Sequence, residues 1–260
     1  MLAVETSSLR GSVALGRCTS ATLDIASRRK GRAGGRRYIG PSSHVAWRAL
    51  SAERKNAAEL LPAIRELLAE IGAEPAEIGV VCFSQGPGSF TGLRVAATLA
   101  RMWQSATGCR VVAVPTLEVV ARNALALPDG PTRLAVIVDA RRGQVFGALF
   151  ERNDAGELRT VADAGLHDAV TWLASLERPC GVLGEGVGKH RQEVVQAGLE
   201  ILPEETWRPD ARQVLVVGRR LAAAGRFCTP EEILPAYLRP PECEEVYEQR
   251  RAEAQARQGA

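Results

Sequence analysis

The chain is poor in the residue types on which several kinds of chemistry depend. It has three histidines (His44, His167 and His190) with no His-x-x-x-His pair, and six cysteines with no Cys-x-x-Cys pair. Zinc sites are built from such pairs, so no metal ligands are expected. Cys82 and Cys109 sit inside or beside apolar β-like runs, where a thiol acts as a small buried hydrophobe. This usage predicts a reduced, cytoplasmic protein. No apolar run approaches the roughly 20 residues that cross a bilayer. The opening Met1-Leu-Ala-Val-Glu-Thr has no basic region ahead of its apolar residues, so neither a membrane span nor a signal peptide is expected. Ser84 and Ser89 lack the Gly-x-Ser-x-Gly elbow that exposes a nucleophile. No catalytic residue is expected.

What the chain does have is apolar mass and an uneven charge. Its 260 residues are 46% hydrophobic, enough for two packed lobes. Net charge is +3, yet seven basic residues and no acid lie in 25–52: Arg28, Arg29, Lys30, Arg32, Arg36, Arg37 and Arg48. Without those seven the remainder stands at −4, so the basic balance is local. Either this stretch is a solvated loop, or it meets the phosphates of a nucleic acid.

Residues 2–6 read as a buried strand, 7–11 as a turn and 12–16 as a second strand. The pattern returns at 134–138, 139–143 and 144–150. At a constant offset Leu2/Leu134, Ala3/Ala135, Val4/Val136, Arg10/Arg142, Gly11/Gly143 and Val13/Val145 are identical, which predicts a duplicated strand–turn–strand opening, one per lobe. Helical spacing of Leu60, Leu61, Ile64, Leu67, Leu68 and Ile71 predicts a helix to Gly72, with Pro62 forcing a kink or a late start. A strand at 79–83, a glycine loop, a helix to Thr107, a strand at 111–115 and a helix at 117–127 follow. On the helix ending at Thr107, Gly92, Ala96 and Ala100 form a smooth face while Leu93, Leu99, Met102 and Trp103 spread apolar surface elsewhere. Such a helix is buried on several sides by its own chain or in part by a partner. A strand at 158–161, another at 181–186 that ends in a glycine turn, and helices at 169–176, 191–197 and 213–223 complete the pattern. The expected class is α/β with two lobes, 1–129 and 130–241, joined at the turn-rich Asp129-Gly-Pro131, and a charged tail at 242–260.

The loop Gly86-Pro-Gly-Ser-Phe-Thr-Gly92 joins a buried strand to a helix start. Its backbone N–H groups, around Gly86, Gly88, Ser89, Thr91 and Gly92, are candidates to receive an anion. It lacks the Gly-Lys-Ser/Thr of a P-loop, and the other reading is a tight turn into the helix. Glu5, beside Thr6 and Ser7, is a candidate to hold a metal-bound water or a phosphate's magnesium, and Asp139 occupies the comparable place in the second half. Alternatively each acid accepts hydrogen bonds from its own turn. The histidines at 167 and 190 flank helices and are expected at the surface.

Four segments in order, Ser84-Gln-Gly-Pro-Gly-Ser-Phe-Thr-Gly-Leu-Arg94, Val114-Pro-Thr-Leu117, Val138-Asp-Ala-Arg-Arg-Gly-Gln-Val145 and Ala236-Tyr-Leu-Arg239, resemble the TsaB (YeaZ) family. The Glu-Thr-Ser-Ser opening and the Leu60-Leu-Pro62 helix are also similar. The resemblance implies a two-lobed actin-like (ASKHA, ribonuclease H-like) fold without self-sufficient catalysis. It implies pairing with the paralogue TsaD, which carries the metal and nucleotide site, and with the ATPase TsaE, in modifying adenosine 37 of tRNA. No cofactor is implied for the chain by itself; ATP or ADP belongs to the assembled complex. The implied contact with TsaD is a helix bundle, here through Leu60, Ile64, Leu67 and Leu68 on one helix and Gly92, Leu93, Ala96 and Ala100 on the next. A homodimer through the same helices is a further reading. Two positions depart from the family pattern: Glu5 stands for the usual Asp, and Asn56 stands where a histidine is common. The basic stretch resembles an insertion. A rival from the enzyme class, a stand-alone ATP-binding kinase or hydrolase, would rest on Glu5, Asp139 and the glycine loop.

Overall fold

The computed structural model describes residues 1–16, 45–51, 56–153 and 156–239. Arg28 to Arg37 of the basic stretch and the tail at 242–260 lie outside the described residues.

The described strands form two five-stranded sheets. The first contains β1 (Leu2–Glu5), β2 (Ser12–Leu15), β3 (Ala46–Ala49), β4 (Val80–Gly86) and β5 (Arg110–Pro115), in the order β3-β2-β1-β4-β5. The second contains β6 (Arg133–Asp139), β7 (Gln144–Arg152), β8 (Leu158–Asp168), β9 (Gly181–Leu183) and β10 (Glu200–Ile201), in the order β10-β9-β6-β7-β8. Matching β6 to β1 and each later strand in turn makes the two orders the same. In both sheets three antiparallel strands are followed by parallel ones. The identities between residues 2–13 and 134–145 therefore mark equivalent hairpins. The hairpins differ in one respect: β1 turns after Glu5, three residues past Leu2, whereas β6 continues to Asp139, five residues past Leu134.

Alternation along β1 divides the first sheet's faces. Leu2 and Val4 point into a core with Val81, Phe83 and Val111, covered by α1 (Asn56–Ile71) and α2 (Phe90–Thr107). Ala3 points the other way, into a core with Cys82, Val112 and Val114. That second face is covered by α6 (Ala211–Ala223). The domain expectation assigned 130–241 to a second lobe, yet α6 and Ile233, wholly buried in the α1/α2 core, pack on the first sheet. A chain that crosses from one lobe to the other and back supplies both faces of the first sheet. Helix α3 (Thr116–Ala121) serves both cores: Val119 joins the α6 side, while Leu117 and Val120 join the second sheet's core. Helices α4 (Ala169–Ser175) and α5 (Arg191–Gln196) complete that lobe.

Several local expectations change. Pro62 lies inside α1, exposed on its outer side, and the helix starts at Asn56, ahead of it. The expected helix at 117–127 is a short α-helix followed by a 3-10 turn at Arg122–Ala126. The strand expected at 158–161 runs on to Asp168, held by its ladder to β7. Strand β3 falls within the basic stretch, where Arg48 pairs with Glu70 of α1 at 2.6 Å.

Candidate functional site

The glycine loop and the first hairpin are built against one another. Ser89 N–H donates to Ser7 O at 2.6 Å, and the Thr6 hydroxyl donates to Gly92 O at 2.7 Å. Ser89 is the N-cap of α2, its Oγ accepting from Gly92 N–H at 3.3 Å. The approach leaves no room for side chains: a Cβ at Gly88 would sit 2.5 Å from Ser7 O, and one at Gly92 only 1.7 Å from Thr6 O. Gly86, at φ +127°, closes the strand end, with Ala236 N–H donating to Gln85 O beside it. Thr91 is exposed at the start of α2. Of the two readings of this loop, the geometry favours the turn, since the Ser89 and Gly92 donors are taken up inside the chain.

Glu5 is wholly buried at the end of β1. Its Oε1 accepts from Ser7 N–H at 2.5 Å and from Ser7 Oγ at 2.6 Å, and Oε2 accepts from the Ser84 hydroxyl. Burial pushes the carboxyl up to about 6, against those hydrogen bonds, and the Glu185 carboxylate adds to the rise. An acid held this way caps its own turn.

Asp139 keeps separate company on the second lobe. It accepts from Lys189 Nζ at 2.5 Å and from Arg141 N–H at 3.2 Å, with His190 Nε2 at 3.4 Å. Burial works against its charge, but these donors outweigh it and hold the carboxyl below the usual range. Lys189 and His190 carry no motif that would have singled them out. His190, expected at the surface, is 5% exposed: it is the N-cap residue of α5, with its ring turned to Asp139. His167 stacks on Trp172, centroids 4.9 Å apart. Among the described residues no group of three or more His, Cys, Asp or Glu is placed to hold a metal, and no helix is long and apolar enough to cross a membrane.

The residues expected at a partner contact need correction. Leu60, Ile64, Leu67 and Leu68 of α1 and Gly92, Leu93, Ala96 and Ala100 of α2 are all buried within the chain itself. Leu60, Ile64, Leu67, Leu68, Ala96 and Ala100 fill the space between the two helices and the sheet, the face any amphipathic helix turns inward, while Gly92 lies against Thr6 O. What these helices present outward is Leu61, 49% exposed, and Phe90, Arg94 and Met102. Phe90 and Tyr237 lie 5.3 Å apart, the Arg94 guanidinium rests 3.9 Å over the Phe90 ring, and Arg94 Nε donates to the Tyr237 hydroxyl at 2.9 Å. Sequence spacing picked out the apolar stripe; only the position of Tyr237 in space reveals this outer cluster.

A family model described as TsaD, tRNA N6-adenosine threonylcarbamoyltransferase, matches residues 50–242. The tRNA threonylcarbamoyladenosine biosynthesis protein TsaB of Escherichia coli is 26% identical over 192 residues, 72% of this chain and 81% of that protein. The protein of the same description from Bacillus subtilis is 30% identical over 144 residues, 55% of this chain and 62% of that one. Among solved structures, YeaZ from Pseudomonas aeruginosa superposes with a TM-score of 0.71 at 25% identity, over 91% of this chain and 98% of that one. The repeated sheet order is thus that of a two-lobed actin-like fold, and the chain belongs to the TsaD family, with its likeness inside that family running to the TsaB (YeaZ) proteins.

Proposed function

We propose that this chain is a non-catalytic subunit of the machinery that makes N6-threonylcarbamoyladenosine at position 37 of tRNA, and that it binds and activates the catalytic paralogue TsaD. The observation that carries the reading is the state of the first hairpin. Glu5 is sealed by Ser7 and Ser84, and the glycine loop by Ser7 and Thr6, so the groups an actin-like site would turn to a nucleotide are engaged within the chain. The names of the relatives supply the pathway. The partner surface in this reading is the outer side of α1 and α2 with the Phe90–Arg94–Tyr237 cluster, since aromatic and arginine side chains dominate interface energetics. TsaE, tRNA and any nucleotide join through the assembled complex, and a homodimer would use the same surface until TsaD displaces it.

Light-scattering mass of the purified chain, alone and with TsaD from its own organism, tests this. A 1:1 species that replaces any homodimer, and threonylcarbamoyl transfer that requires both chains, are expected. Absence of association with nucleotide and tRNA present would overturn the assignment of the partner.

A further inference from the structure

The last described segment of the chain, 228–239, runs as a strap from the first sheet to the second hairpin, with no regular structure beyond a 3-10 turn at Pro230–Glu232. It is fastened to the first lobe at successive points. Cys228 N–H donates to Val111 O of β5 at 2.8 Å, and the Arg101 guanidinium of α2 donates to Pro230 O at 3.2 Å. Ile233 lies in the α1/α2 core. The Gln85 side chain donates to Leu234 O at 3.1 Å, and Ala236 N–H donates back to Gln85 O at 2.8 Å. The Tyr237 hydroxyl then accepts from Arg94 at 2.9 Å, beside the Phe90 ring.

Two residues further on, the strap reaches the other lobe. The Arg239 guanidinium donates to Ala140 O at 2.5 Å and to the Gln144 side-chain oxygen. Ala140 and Gln144 bracket the turn between β6 and β7, so one side chain spans its base. That turn is strained. Arg141 and Arg142 stand at φ +63° and +53°, ahead of Gly143 at +72°. Left-handed backbone is open to glycine but unfavourable for an arginine, whose Cβ crowds the following carbonyl. Within the turn, Ala140 N–H donates to Gln144 O and Gln144 N–H to Arg141 O, both at 2.9 Å, and Arg141 N–H donates to Asp139 at 3.2 Å. Strained backbone persists where its surroundings over-determine it, and Arg239 is the restraint that arrives by way of the first lobe.

We infer that this strap transmits the state of the Phe90–Arg94–Tyr237 cluster on the first lobe to the Arg141–Arg142 turn on the second. The link is mechanical. Two residues of chain span at most about 7 Å, so Tyr237 is neither moved nor fixed without effect on Arg239. A protein seated on the cluster covers Tyr237, which is 40% exposed in the free chain, and fixes the strap. Arg239 then holds the turn more firmly, and the turn opens less often. The identity of that protein, TsaD, rests on the proposed function; the coupling within the chain does not.

Amide exchange at Ala140 and Gln144, followed by NMR in the full chain, reads the opening of the turn. Arg239→Ala should speed both by about tenfold or more, as loss of a hydrogen bond from a charged group does. Tyr237→Phe keeps the ring and removes the hydroxyl that receives Arg94; it should speed them by about threefold, although the substitution lies outside the turn. Arg226→Ala, on the exposed turn after α6, should leave them unchanged, and circular dichroism would confirm that each variant is folded. Addition of TsaD should slow both amides in the natural chain, and the slowing should be lost in Arg239→Ala. Unchanged exchange in Arg239→Ala would overturn the restraint, and unchanged exchange in Tyr237→Phe would overturn its transmission along the strap. TsaD that binds by light scattering yet leaves both amides as they were would overturn the response to a partner. TsaD that does not bind would overturn the functional reading instead, and the two variants of the free chain would still decide the coupling.

Discussion

At the scale of the residue, Glu5 and Gly92 carry the clearest consequences. Glu5 is a carboxyl raised from 4.5 to about 6 by burial. A raised folded-state value means the folded chain prefers the protonated acid. The stability this contributes is present below pH 4.5 and is lost as pH rises through about 6, a swing on the order of 2 kcal/mol. Glu5→Gln removes the charge and keeps the shape. Urea unfolding between pH 4.5 and 7.5 should show the natural chain losing about that much relative to the variant. An unchanged difference across the range would contradict the burial of this acid. Gly92 is required for a different reason. With Thr6 O 1.7 Å from the place of a Cβ, Gly92→Ala must push the start of α2 off the first hairpin. The cost should be about 3 kcal/mol or more, visible as a large fall in Tm. The Gly-Pro-Gly-Ser-Phe-Thr-Gly run was legible in the sequence as a special loop. Which of its two uses applies depended on Ser7 O, more than 80 positions away, receiving the Ser89 N–H and on the Thr6 hydroxyl donating to Gly92 O.

At the scale of the element, α1 and α2 separate what an apolar stripe does from what a surface does. Helical spacing marks Leu60, Ile64, Leu67 and Leu68 as an apolar set, but spacing has no means of saying whether sheet or partner covers it. The sheet does. Two kinds of variant should therefore behave in opposite ways. Leu93→Ala empties part of the core and should cost about 2–5 kcal/mol of stability, with partner affinity altered only through folding. Phe90→Ala combined with Tyr237→Ala should leave unfolding within about 1 kcal/mol of the natural chain, as exposed sites usually do. It should weaken TsaD binding by about tenfold or more if both are anchors of the contact. Paired measurements of thermal unfolding and of TsaD affinity check both. A double variant that binds as the natural chain does would remove this cluster from the interface. Helix caps belong to this scale as well: Ser89 and Asp210 are side chains of the expected type at the starts of α2 and α6, and each bonds its own first turn.

At the scale of the whole molecule, the two sheets share one strand order, and the lobes are coupled by chain that passes between them. Helix α3 faces both cores, α6 returns to the first sheet, and the segment around 234–239 bridges them. Gln85 Nε2 donates to Leu234 O at 3.1 Å, Ala236 N–H donates to Gln85 O, and Arg239 donates to Ala140 O at 2.5 Å in the second hairpin. Charge also acts at this scale. If the local basic stretch meets tRNA phosphates, changing Arg28, Arg29, Arg36 and Arg37 together to Gln should weaken tRNA binding by the complex. It should also flatten the dependence of affinity on salt by up to about four counterion equivalents. Equal affinity at low and high salt would make the stretch a solvated loop. Arg48 is left out of that set because Glu70 already pairs with it.

The sequence by itself determined the class of the fold, the duplicated hairpin, the position of the glycine loop and the apolar faces of the helices. All of these are local patterns of period, turn residue and short repeat, and local patterns are written in adjacent residues. Only the tertiary structure decided that Glu5 is sealed, that Asp139 pairs with Lys189 beside a buried His190, that α6 belongs with the first sheet, and that Arg239 reaches the second hairpin. Each of those depends on groups tens to hundreds of positions apart meeting at one point. Hydrogen bonds and burial are settled by that meeting, and the spacing of residues along the chain carries no record of it.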